Sequence, residues 1–209
     1  MLRSHSLFAI VLALSFFFNG AHSWPWSRDR VIGYAMVTGR QANRLNQFND
    51  LRGERTSQSQ TGPGFYLLNK PGWRNDQRRT GNWYCAIKAD KKRTDDIRKV
   101  WIPRFYNHEI AEGRIIQQNL WGENETLITD YIEWEAGMHM PDQILRFSWI
   151  QATHWQHHMN IPSFVVDNVD LGLRPKCFQT EDEMKAYSND EIDWENIWSI
   201  PPPVIGPPL

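Results

Sequence analysis

The chain has 209 residues, with 23 Lys and Arg against 24 Asp and Glu, for a formal net charge of −1. That balance lacks the basic footprint that nucleic acid or an anionic lipid surface demands, so neither is expected as a partner. Arg3 and the apolar run Leu7–Phe18 (LFAIVLALSFFF) open the chain, and the run is too short to span a bilayer. Asn19-Gly20 breaks it, and Ala21-His22-Ser23 supplies the small residues of a cleavage site. Residues 1–23 are therefore read as a signal peptide and the mature protein as soluble and secreted. No later stretch is long and apolar enough to cross a membrane. About 185 residues remain, which suits one domain with a full core over residues 24–198.

Arg30–Val37 (RVIGYAMV) reads as the first strand, because it is too apolar for a loop. Thr38 caps a short helix over Gln41–Leu51, and Gly53–Gln60 is a polar loop. A Gly62-Pro63-Gly64 corner then feeds an apolar-aromatic strand, Phe65–Leu68, and a charged, turn-rich connection leads to a second strand, Trp83–Ile87. Glycines beside a strand let other groups approach its backbone closely. With Tyr66 next to them, they mark a cleft able to hold a flat ligand. Asp90 starts a short helix over Ala89–Arg98, and Lys99–Phe105 is a strand interrupted by Pro103.

Asn107–Asn119 is expected to be helical, with Ile110, Ile115 and Ile116 on one side. Leu127, Ile128, Tyr131 and Ile132 recur at helical spacing in Glu125–Glu135. Ile144–Ala152 alternates Leu145, Phe147 and Trp149 with Arg146, Ser148 and Ile150, which is a strand pattern. Gln156–Pro162 and Pro175–Phe178 are further strands, and Thr180 with Glu183 forms a capping box for a helix to Tyr187. The tail 199–209 is rich in proline and extended. The whole reads as α+β, with a mostly antiparallel two-sheet core and flanking helices.

In an oxidising compartment Cys85 and Cys177 are expected to bond to each other. Asn124-Glu125-Thr126 is an N-glycosylation acceptor. Eleven tryptophans fit large core residues or a sugar- or partner-binding surface, and most lie in apolar strands or helical stripes, which favours the core. His154, His157 and His158 cluster in THWQHHMN, but no acidic base follows in a zinc-protease pattern, so no metal site is assigned. Glu133 and Glu135 are two carboxylates one residue apart. On a strand they share a face and suit acid–base work; on a helix they diverge. No Gly-x-Ser-x-Gly, P-loop or Rossmann fingerprint is present.

Taken in order, VIGYAMVT, TGPGFYLLN, NWYCAIKA and the strand ending in Ile161-Pro162 resemble the secreted ADP-ribosyltransferase toxins and their fungal effector relatives. The resemblance implies an ADP-ribosyltransferase-like fold for residues 24–198 and NAD as co-substrate of an active member. It places Tyr34, Gly62, Gly64 and Tyr66 at the cofactor. The family's Arg or His after the first tyrosine falls on Ala35, however, its usual hydroxyl falls on Leu68, and its catalytic Glu falls on His158. An imidazole supplies no negative charge to an oxocarbenium-like transition state. The resemblance therefore implies a secreted virulence effector, monomeric, non-catalytic or weakly catalytic, that acts by binding a host protein target. Delivery into host cells is left open. Two alternatives stand beside it: an active NAD-dependent transferase using Glu135 or Glu133, and an aromatic-rich module that binds carbohydrate or another partner.

Overall fold

The computed structural model describes residues 28–49, 51, 60–72, 80–110, 113–150 and 156–201. The expected signal peptide at 1–23, Trp24 and Trp26, most of the 53–60 loop, the basic run 74–79, His154 and the tail from residue 202 lie outside the described residues.

The first strand, β1 (Asp29–Thr38), enters the core along Ile32–Ala35 and leads directly into α1 (Gly39–Phe48). Thr38 ends one element and starts the other, since its hydroxyl accepts the Gln41 N–H while the Gln41 side chain accepts the Thr38 N–H. Asn49, in the left-handed region at φ 51°, closes the helix. After the corner come β2 (Gly64–Leu68) and β3 (Asn82–Asp90), and Asp90 caps α2 (Lys91–Asp96) as expected. Pro103 splits the next apolar run, so β4 (Lys99–Trp101) stops before it and β5 (Phe105–Ile110) starts after it.

The structure departs from the sequence reading at 107–119. In place of a helix, β5 pairs antiparallel with β6 (Arg114–Asn119). Half-buried Tyr106, His108 and Ile110 alternate with exposed Phe105, Asn107 and Glu109, a period of two. Gly113, at φ 72°, accommodates the turn. The next element is helical as expected: α3 (Glu125–Asp130) continues as one π-helical turn, Tyr131–Glu135. Strands β7 (Leu145–Ile150) and β8 (Gln156–Pro162), helix α4 (Ser163–Asn168), strand β9 (Arg174–Phe178) and helix α5 (Glu181–Tyr187) follow. A last helix, α6 (Trp194–Trp198), capped by Asp193, was not expected.

The fold is α+β, with one seven-stranded sheet ordered β4-β7-β8-β2-β1-β3-β9 and the β5–β6 hairpin as a small second sheet. Among the described strands only β4, laid parallel to β7, breaks the antiparallel pattern. The main core surrounds the large sheet. A smaller core, with Ile102, Leu120, Ile128, Ile132 and Ile144, joins the hairpin and α3 to it.

Each edge strand of the large sheet makes a backbone hydrogen bond to a group outside the sheet. Asn46 of α1 acts as a strand mimic on β9: its Oδ1 accepts the Cys177 N–H at 2.8 Å and its Nδ2 donates to the Cys177 carbonyl at 2.9 Å. On β4 the Trp101 N–H donates to the Pro201 carbonyl at 2.8 Å. Capping of this kind removes the unpaired backbone groups that invite edge-to-edge association. Cys85 and Cys177 face each other directly in the β3–β9 register and form the disulfide. Among the described residues no helix is long and apolar enough to cross a membrane.

Candidate functional site

Strands β7, β8 and β2 lie side by side, and their register decides which side chains share a face. Tyr66 opposes Asn160, which opposes Arg146; Leu68 opposes His158, which opposes Ser148. Directly opposed residues of antiparallel strands point to the same side of the sheet. One face is therefore apolar, carrying Phe65, Leu67, Leu145, Phe147, Met159 and Ile161, all buried. The other carries Tyr66, Arg146, Ser148, His158 and Asn160. Alternation of this kind ordinarily means polar residues turned to water. Here Arg146, Ser148 and Asn160 are completely buried and His158 nearly so.

The Thr61–Gly64 corner covers that polar face. Arg146 Nη1 donates to the Thr61 carbonyl at 3.0 Å, and Asn160 Nδ2 donates to the carbonyls of Thr61 and Gly62 at 2.9 and 3.0 Å. The Tyr66 hydroxyl turns back to donate to the Gly62 carbonyl at 2.6 Å, and the Thr61 N–H donates to the same hydroxyl at 3.1 Å. The Thr61 hydroxyl lies 3.2 Å from His158 Nε2, and the His158 ring meets Tyr66 edge-on at 5.1 Å. Helix α3 adds the charge that Arg146 needs. Glu125, in its first turn, takes a two-pronged hydrogen bond from Arg146, at 3.0 Å from Nη1 and 2.7 Å from Nη2. A fork of this geometry is the strongest arrangement for a buried guanidinium.

The glycines serve this closure. A Cβ on Gly62, which sits at φ 91°, would lie 2.1 Å from Glu125 Oε2 and 2.3 Å from Arg146 Nη1. One on Gly64 would lie 2.0 Å from Asn160 Oδ1 and 2.3 Å from the Ile161 carbonyl oxygen. What approaches the corner closely is the protein's own β8, Arg146 and Glu125.

The remaining residues singled out in the sequence are spread around this centre. Tyr34 is fully buried on β1, with its hydroxyl 2.8 Å from Ser188 Oγ and 3.0 Å from the Asp190 carbonyl, and burial pushes its phenol above the ordinary range. Ala35 is buried opposite Cys85. Burial, with a smaller contribution from neighbouring His157, pushes His158 down to about 3, so it is neutral at physiological pH. His157 is on the opposite face, 3.8 Å ring to ring from Trp149 and 5.3 Å from Trp101. Burial drives it down to about 4, against the pull of Asp193 and Glu191.

Glu133 and Glu135 occupy the π-helical turn, eight and ten residues beyond Glu125, at the far end of the helix that Glu125 begins. Each lies near an imidazole: Glu135 Oε1 is 3.4 Å from His108 Nδ1 on the hairpin, and Glu133 Oε1 is 3.7 Å from His139 Nδ1. Burial first, and the Glu135 charge second, push Tyr131 up to about 12. Trp134 between the two glutamates is 77% exposed. Among the described residues no cluster of His, Cys, Asp or Glu is arranged to hold a metal ion.

Arg146, Glu125, Asn160 and Thr61 were not picked out by sequence reasoning as site residues. An arginine between Leu145 and Phe147 in a strand was the one available signal, because a guanidinium there needs a partner if its face is covered.

The chain belongs to a family of unknown function, DUF5910, which matches residues 59–202. No curated protein and no solved structure matches it. The matched span holds the corner, Arg146, His158 and both cysteines, whereas Tyr34 and α1 precede it.

Proposed function

We propose that this chain is a secreted virulence effector on an ADP-ribosyltransferase-like fold, and that it acts by binding a host protein and does not transfer ADP-ribose. The order of strands supports the fold assignment, since the four segments that carry the resemblance fall on β1, β2, β3 and β8, which lie next to one another in one sheet in the order β8-β2-β1-β3. The disulfide fits an extracellular life. One observation carries the non-catalytic reading. The position where the resemblance calls for a catalytic carboxylate holds His158, a buried and neutral imidazole hydrogen-bonded to Thr61. The glycine corner beside it is filled by Arg146, Glu125 and Asn160, groups that an NAD molecule would have to displace.

The test is incubation of the mature protein with radiolabelled NAD and lysate from candidate host cells, alongside NAD titration followed by calorimetry. No label transfer and no heat of binding are expected. Transfer that disappears in Glu135→Gln or Glu133→Gln would overturn the proposal in favour of an active transferase centred on the π-helical turn. Glycan-array binding that is lost in Trp134→Ala would favour a carbohydrate-binding module.

A further inference from the structure

Asn124 performs one structural task with one half of its side-chain amide. Its Oδ1 accepts the Leu127 N–H at 3.0 Å and caps α3, and the residue is exposed. The other half, the Nδ2 amino group, takes part in no hydrogen bond among the described residues. Thr126, two residues on, is also exposed, and its carbonyl, not its hydroxyl, is engaged, accepting from Thr129 Oγ1 at 2.8 Å. Gly122, at φ 75°, turns the chain just before this segment, so the Asn-x-Thr triplet straddles the exposed N-terminus of α3, with Asn124 at the cap and Thr126 in the first turn.

We propose that Asn124 is a helix cap and an N-glycosylation site at once, using a different atom for each. The donor is an oligosaccharide carried on a lipid diphosphate. Nδ2 attacks the anomeric carbon, the new C–N bond replaces the C–O bond to the diphosphate, the lipid diphosphate leaves with the bonding electrons, and Nδ2 gives up one proton. The product amide keeps its carbonyl oxygen, so the cap on Leu127 survives the modification. Attachment precedes folding, and the exposed position lets the folded domain carry the sugar outside its core. The glycan then stands next to Glu125, the residue that closes the corner on Arg146, so a protein partner approaches by another face.

The proposal rests on the secretory part of the functional reading, and the experiment separates the two. The full chain is expressed in a eukaryotic host, with a second version behind an established secretory leader. Both are treated with a peptide N-glycosidase, followed by electrophoresis and peptide mass spectrometry. A mobility shift with conversion of Asn124 to Asp is expected in the secreted protein. The shift should vanish in Thr126→Ala and Asn124→Asp and persist in Thr126→Ser. The urea midpoint should be unchanged in Asn124→Asp, which keeps a capping oxygen, and lowered in Asn124→Ala. Secretion without glycosylation would overturn this proposal alone. Retention of the full chain in the cytosol, with glycosylation only behind the foreign leader, would overturn the secretory reading and natural modification with it.

Discussion

Gly62→Ala separates a corner packed from within from a corner kept open for a ligand. The new methyl would sit about 2 Å from Glu125 Oε2 and Arg146 Nη1, far inside the roughly 3.5–4.0 Å of ordinary contact. One member of that buried fork must move. Separating a buried ion pair costs about 3–5 kcal/mol when the stranded charge stays buried. Glu125 is one-third exposed and can hydrate, whereas Arg146 is wholly buried, so roughly 2–3 kcal/mol is the better figure. The positive φ of Gly62 adds about 1–2 kcal/mol of backbone strain for any other residue. The expected loss is about 4 kcal/mol, a large share of a typical domain's stability. Equilibrium urea unfolding followed by tryptophan fluorescence and circular dichroism measures it. In a Glu125→Ala background the same substitution should cost less, because the ion pair is already gone and what remains is about 1–2 kcal/mol of strain together with the close approach to Arg146 Nη1. A loss under about 1 kcal/mol in the parent chain would mean that the corner has slack. Its own side chains would then not fill it.

Stability should fall in acid, because burial holds His157 near 4 and His158 near 3, both below the ordinary imidazole value. The unfolded chain binds more protons through that window, so the contribution is whole above about pH 6.5 and is lost as pH drops toward 4. At about 1.4 kcal/mol per unit, His157 alone withdraws about 3 kcal/mol, and thermal melts across the range should show a slope that flattens in His157→Gln. Replacing Cys85 and Cys177 by alanine opens a loop with a sequence separation of 92, expected to cost about 4 kcal/mol in guanidinium unfolding. The Cys177 position should still show amide-exchange protection, because Asn46 and not the disulfide accepts that N–H. Trp134→Ala should leave the free energy of urea unfolding within about 0.5 kcal/mol of the parent, as the side chain is 77% exposed. A larger shift would reveal packing around the π-helical turn that the structure does not contain.

Most elements were legible in the sequence because their signals are local. Thr38 with Gln41 and Thr180 with Glu183 announce helices through chemistry that spans one turn, and Leu145–Ile150 announces a strand through its period of two. Asn107–Asn119 misled because three isoleucines can be fitted to a helical stripe, whereas the turn at Gly113 and the pairing of Glu109 with Ile115 depend on contacts across the hairpin. Helix α6 escaped notice because it is one turn and a half long and is held by Trp194, whose indole N–H donates to the Ile32 carbonyl at 2.9 Å from the far end of the chain.

The candidate site divides along the same line. Composition, two cysteines and the alternation of Arg146 and Ser148 with Leu145 and Phe147 were enough to set the class of fold, the disulfide and the side of β7 each residue would take. They could not say that the polar side is buried. That was decided when Glu125, 21 residues before Arg146, and the Thr61–Gly64 corner, some 85 residues before it, closed over one face of three strands. A guanidinium leaves water only where a carboxylate and backbone carbonyls replace its hydration, and only the tertiary fold brings those groups together.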